Sequence, residues 1–157
     1  MWHEVVRSGG IIMLSGEYHH NIDEKGRIIV PSKIRNEMGG TIVITRGLDG
    51  CLFGYSEANW NNIMEKLGTL PFTKADARNF TRFLTSGAIT LEFDKQGRIN
   101  IPDYLSNYAN LLREVVILGV INRIEIWSKE KWNDFMNNNI ERLSDISENL
   151  FDSSLNL

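Results

Sequence analysis

At 157 residues the chain can bury one good core or two small ones, and 42% apolar with 24% charged residues is the balance of an ordinary globular protein. A formal charge of -3 excludes a uniformly basic coat, and one cysteine excludes a disulfide framework, leaving Cys51 as a core thiol of a reducing compartment. No apolar run approaches the roughly 20 residues of a bilayer span and no signal-peptide pattern opens the chain, so a cytoplasmic protein without a membrane partner is expected.

Residues 1–12 carry Trp2, His3 and Gly9-Gly10 with neither a helix nor a strand period, and are read as an N-terminal extension. Adjacent Gly codons shortly before a Met can spell a ribosome-binding site, so one expectation is a misassigned start, with Met13 as the true one. N-terminal sequencing of native protein decides it, and a product beginning at Met1 would end the idea.

Residues 18–22 and 27–30 read as strands, and Asp23-Glu24-Lys25-Gly26 between them puts Gly where a type I turn with a bulge needs a left-handed residue. A β-hairpin with Lys25 at its tip is predicted. Pro31-Ser32 opens a short helix to Met38, with Ser32 as N-cap, Ile34 and Met38 on the buried face, Lys33 and Glu37 in solvent, and Gly39-Gly40 as the stop. Residues 41–45 and 51–55 are two further strands around the turn Gly47-Leu48-Asp49-Gly50.

Ser56 caps a helix whose Trp60, Ile63, Met64 and Leu67 form an amphipathic stripe. After Pro71, Thr73 with Asp76 reads as a capping box for a second helix burying Ala77, Phe80, Phe83 and Leu84. The pattern then restarts: strands at 88–93 and 98–101, a short helix at 103–111, and strands at 115–118 and 123–127. Ser128 caps a last helix with Trp132, Phe135 and Met136, and the remainder, rich in Asn, Ser and Asp, reads as a marginal, fraying helix.

The restart is a duplication. Asp23-Glu24-Lys25-Gly26-Arg27-Ile28-Ile29-Val30-Pro31 returns as Asp94-Lys95-Gln96-Gly97-Arg98-Ile99-Asn100-Ile101-Pro102, 71 residues later. Tyr55 to Trp60 matches Trp127 to Trp132 at an offset of 72. Charge is unequal between the parts: residues 23–46 sum to +2, and residues 129–157 to -3.

The paired D-x-x-x-R motifs running into R-h-x-h-P (h, apolar), with Gly16-Glu17-Tyr18, Thr45-Arg46-Gly47-Leu48-Asp49, Arg82 with Ser86-Gly87-Ala88, and Glu125-Ile126-Trp127, closely resemble MraZ, a family of bacterial transcriptional regulators built from two SpoVT-AbrB modules. The resemblance covers Met13 to about Trp132. It implies an α+β, mainly β fold in which two swapped-hairpin modules form a pseudo-two-fold barrel with flanking helices, assembled as a homo-oligomeric ring. The expected boundaries are module 1 at 17–59, a helical linker at 60–87, module 2 at 88–131, and a C-terminal helix with an acidic tail at 132–157. The implied function is a non-enzymatic, cofactor-free, nucleoid-associated regulator that recognises short direct repeats in double-stranded DNA upstream of the division and cell-wall gene cluster including its own gene. Two departures stand out: the extension before Met13 is not a family feature, and Ser106 stands where the first repeat has Arg35.

The residues suit that function. A hairpin tip with Lys25 and Arg27 beside a tight Gly turn can enter a major groove as a two-stranded ribbon, Arg reading a guanine edge with its planar fork and Lys meeting phosphate as a point charge. Arg27, Lys25, Arg98, Lys95, Lys33 and Arg35 are the expected DNA-contacting residues, with Asp23 and Asp94 orienting the arginines and Gly26 and Gly97 shaping the turns. A subunit with few cations releases few counterions and binds weakly, and a ring meeting several boxes recovers affinity on the order of 100- to 10,000-fold.

Other readings stand beside it. The Asp–Arg pairs could be structural bridges, and Arg78 with Arg82 suit an interface better than a DNA site. His19 and His20 point to opposite faces of a strand and cannot chelate one metal, so no metal site is expected. Trp60 and Trp132 read as core anchors. A ring-forming scaffold that ignores DNA and an antitoxin or transition-state regulator of the same module type are the alternatives, and no clustered acid, base or nucleophile points to an enzyme.

Overall fold

The computed structural model describes residues 13–151. The extension at 1–12 and the last six residues of the tail lie outside the described residues. The elements run β1 (Leu14–Asn21), β2 (Arg27–Ile29), α1 (Ser32–Met38), β3 (Thr41–Arg46), β4 (Leu52–Tyr55), α2 (Glu57–Gly68) and α3 (Ala75–Ser86). The second series is β5 (Ile89–Glu92), β6 (Arg98–Asn100), α4 (Asp103–Ala109), β7 (Glu114–Ile121), β8 (Arg123–Ser128) and α5 (Lys129–Asn139). A 3-10 turn, Ile140–Arg142, leads into α6 (Leu143–Leu150). The fold is mixed α+β with antiparallel sheets, and helices hold more of the described residues than strands do, so "mainly β" overstates the sheet.

The hairpin turns form as expected, but their strands do not pair with each other. Asp23 N–H donates to Arg27 O at 3.0 Å and Gly26 N–H to Asp23 O at 3.0 Å, closing the turn locally. Beyond it the chain separates: β1 pairs with β7 of the other repeat, and β2 pairs with β6. Likewise β5 pairs back with β3. Three-residue strands such as β2 and β6 have few hydrogen bonds of their own, so burial of Ile28 and Ile99 decides their partner.

The result is a six-stranded sheet in the order β1-β7-β8-β4-β3-β5 and a separate two-stranded β2-β6 ribbon. Under exchange of the repeats β1 maps to β5, β7 to β3 and β8 to β4, so the order reads the same from either edge. The sheet thus has two three-stranded halves, β1-β7-β8 and β4-β3-β5, related by this pseudo-two-fold and joined by the β4–β8 pairing, with each repeat lending one strand to the other's half. The main core lies where they meet and includes Ile28, Val30, Ile34, Ile42 and Ile44 with Ile99, Ile101, Leu105, Ile117 and Ile126. The second cluster, around Cys51, Phe53, Tyr55, Leu84 and Trp127, receives Trp60 and Trp132 as half-buried packing partners.

Helix starts depart from the expected caps at two places. At α1 Pro31 takes the N-cap position and Ser32 is already helical, so no side-chain cap forms. At α3 a backbone turn from Lys74 N–H to Pro71 O absorbs Thr73, and the helix begins at Ala75 without a capping box. Ser56 and Ser128 do cap, accepting from Asn59 N–H and Lys131 N–H. The α3 stripe is shallower than expected: Leu84 is buried, Ala77 and Phe83 are half-buried, and Phe80 is exposed. Met64 of α2 is exposed as well.

Candidate nucleic-acid interface

Each turn is organised by its aspartate. Asp23 Oδ1 accepts from the N–H groups of Lys25 and Arg27, both at 2.9 Å, and Oδ2 accepts from Arg27 Nε at 2.7 Å. Asp94 repeats this with Gln96 N–H at 2.8 Å, Arg98 N–H at 2.9 Å and Arg98 Nε at 2.8 Å. Both carboxyls are held below the ordinary aspartate range, first by the backbone N–H of the arginine four residues on, then by its side chain, against an opposing desolvation. Each Asp–Arg pair lies within its own turn, and the carboxylate orients the arginine four residues on.

The use of Nε matters. A guanidinium gripped at Nε keeps its terminal Nη1 and Nη2 fork available, and among the described residues neither Arg27 nor Arg98 spends that fork on a hydrogen bond. The side chains remain about one-third and one-quarter exposed. Positive φ at Gly26 (+83°) and Gly97 (+77°) lets each turn close, and close approach adds a second reason for glycine. A Cβ on Gly26 would lie 2.8 Å from Ile101 O, and one on Gly97 2.5 Å from Cζ and Nε of Arg35.

The turns flank one surface. In the ribbon Arg27 stands opposite Asn100, Ile28 opposite Ile99, and Ile29 opposite Arg98. Side chains alternate between faces, so buried Ile28 and Ile99 put Arg27, Ile29, Arg98 and Asn100 together on the outer face. Ile29 is 45% exposed there, an apolar side chain in a charged setting.

Lys25 and Lys95 are exposed in the two turns, and Lys33 is exposed on the first turn of α1. The turns are not equivalent in charge, because at equal positions Lys25 corresponds to Gln96 and Glu24 to Lys95. Arg35 is half-buried, donates from Nε to Val30 O at 2.8 Å, and lies over Gly97. It joins the first repeat to the second turn, while Ser106, its counterpart, donates only to Pro102 O at 3.3 Å. Ile29 and Asn100 escape motif reading because they occupy the variable position of R-h-x-h-P. The signal that finds them is the offset of 71, which marks this pair as the point where the outer face changes chemistry between repeats.

Other candidates resolve differently. Cys51 is fully buried, donates to Leu48 O, and burial pushes its thiol far up, as suits a core side chain. His19 pairs with Glu17 at 2.7 Å on one strand face, and among the described residues no group of three metal-ligating side chains occurs. Arg46 and Thr45 anchor the end of α3 through Phe83 O, Ser86 Oγ and Leu84 O. Glu125 ties Arg123 to Trp127. These motif residues are structural. Arg78 donates to Phe72 O and Arg82 to Asn79 Oδ1. No helix among the described residues is long and apolar enough to cross a membrane.

The inter-repeat ribbon thus carries two Asp-held arginines, one from each copy of the duplicated unit. A family model described as MraZ protein, antitoxin-like, matches residues 13–83 and again residues 84–154, and the chain belongs to the MraZ family as two tandem MraZ domains.

Proposed function

We propose that this chain is a sequence-specific DNA-binding transcriptional regulator, its ribbon entering the major groove at short direct repeats upstream of a division and cell-wall gene cluster that includes its own gene. The observation that carries the reading is the pair of Arg27 and Arg98 side chains held at Nε with their forks unspent on one outer face. A preoriented fork loses less freedom on meeting a guanine edge, and a two-stranded ribbon matches the width of the major groove. Lys25, Lys95 and Lys33 supply phosphate contacts around it, while Arg35 serves mainly to set the second turn.

The assigned modules, 17–59 and 88–131, act together, since the ribbon takes one strand from each. A homo-oligomeric ring supplies the avidity that a chain of charge -3 lacks. Exposed Phe72 and Leu70 beside Arg78 and Arg82 support contact between copies on the α2–α3 side. The protein acts in the cytoplasm at the nucleoid, without catalysis or cofactor. The antitoxin-like family description favours a second reading, a regulator with a toxin partner on a palindrome. The tandem duplication favours the first, because one chain already provides both modules.

The test is a salt-dependent titration on duplexes carrying one or several direct repeats from upstream of this gene's operon, comparing wild type with Arg27→Ala and sizing both. Specific binding lost with assembly intact supports the reading. Unchanged specific binding removes the ribbon as reader, and broken assembly makes Arg27 structural.

A further inference from the structure

The outer face of the ribbon is nearly its own mirror under exchange of the repeats. The pseudo-two-fold passes through the Ile28–Ile99 pair, mapping Arg27 onto Arg98 and Ile29 onto Asn100. Two arginines are therefore equivalent and two neighbours are not. We infer that Ile29 and Asn100 determine base specificity and give the ribbon its polarity, Asn100 reading an adenine edge beside the base contacted by Arg27, and Ile29 packing on a thymine methyl beside the base contacted by Arg98. The inference rests on the DNA-binding reading above and adds to it which bases are distinguished and in which direction.

The ladder sets the geometry. Ile101 N–H donates to Gly26 O at 2.8 Å and Val30 N–H to Gly97 O at 3.0 Å, so by alternation Arg27–Asn100 and Ile29–Arg98 are non-hydrogen-bonded pairs. Such pairs hold their side chains closest, with Cβ atoms about 4.5–5.5 Å apart. Each arginine thus has one immediate cross-strand neighbour, and the neighbours differ in chemistry. The two pairs are separated by two residues along the strands, about 6.8 Å. That is about two base-pair steps at about 3.4 Å each.

The side chains are free to act. Asn100 is exposed, its amide makes no hydrogen bond among the described residues, and its Oδ1 lies over Gly26, where a Cβ would sit 3.3 Å away. An unpartnered amide presents a donor and an acceptor together, the pair that matches N6 and N7 of adenine. Ile29 exposes almost half its surface where a soluble ribbon would favour a polar residue, and an apolar branched side chain complements the C5 methyl of thymine. With Ile or Asn at both positions the ribbon would read a self-complementary site. With one of each it distinguishes a box from its reverse complement, as direct repeats require.

The experiment uses full-length protein and a single-box duplex in which each base pair is varied in turn, comparing wild type, Asn100→Ile, Ile29→Asn, the double exchange, Ile29→Val and Arg27→Ala. Asn100→Ile is expected to lose about tenfold discrimination at one base pair and Ile29→Asn about tenfold at another. The double exchange swaps the two preferences, and Ile29→Val keeps the thymine preference, separating methyl contact from ribbon stability. Profiles of Asn100→Ile and Ile29→Asn that superimpose on wild type, while Arg27→Ala abolishes specific binding, overturn this inference alone. An Arg27→Ala protein that binds as wild type does removes the ribbon from the DNA and overturns both.

Discussion

Arg35 of the first repeat lies across Gly97 of the second, so close that a Cβ on that glycine would sit 2.5 Å from the guanidinium carbon. Gly97 therefore meets two demands, a left-handed backbone and room for a side chain from the other repeat. Gly26 has the same backbone but faces Ile101 O at 2.8 Å. A long side chain can move aside and a ladder carbonyl cannot.

Gly97→Ala and Gly26→Ala should each destabilise the fold by about 1–3 kcal/mol through backbone strain alone, with Gly26→Ala the worse of the two. Urea denaturation measures this. Arg35→Ala in the Gly97→Ala background should recover the steric part, leaving the φ penalty. A double-mutant cycle with no coupling would show that Arg35 does not press on the second turn.

Asp23 and Asp94 make stability depend on acidity. A carboxyl whose folded pKa is depressed stabilises the fold fully above its unfolded pKa of about 3.9, and that contribution is lost as pH falls through the folded value. The urea midpoint of wild type should therefore fall below about pH 4 more steeply than that of Asp23→Ala with Asp94→Ala. Parallel acid limbs would remove both turns as the source.

Ile28 and Ile99 are almost fully buried and face each other across the ribbon, one from each repeat. Truncation of either to Ala should cost about 2–5 kcal/mol, and because the side chains are paired the double variant should depart from the sum. Denaturant unfolding of the three variants measures it. Strict additivity would mean that the ribbon is not the joint between the repeats.

Lys25 should act on affinity and not on specificity. Lys25→Ala is expected to reduce the slope of log K against log salt by about 1 while weakening all sequences alike. Titrations at several salt concentrations on matched and mismatched boxes check this. A change confined to the matched box would make Lys25 a base reader.

Much of the molecule is legible one residue at a time. The Asp-x-x-Gly-Arg turns, the Ser56 and Ser128 caps, the β3–β4 and β7–β8 hairpins and the duplication follow from backbone preference, local hydrogen bonding and apolar alternation, all short-range. Ser32 and Thr73 do not cap α1 and α3, because Pro31 takes the N-cap position of the first and a backbone turn from Lys74 N–H to Pro71 O absorbs Thr73 before the second. Residue by residue the strand exchange implied by the family resemblance is not legible, and only tertiary structure decided which strand each arm joins, because neighbouring and distant edges offer the same hydrogen bonds and the balance falls to burial of Ile28 against Ile99. That exchange aligned two arginines 71 positions apart on one face, set Arg35 over the other repeat's turn, and brought Ile29 and Asn100 out beside them.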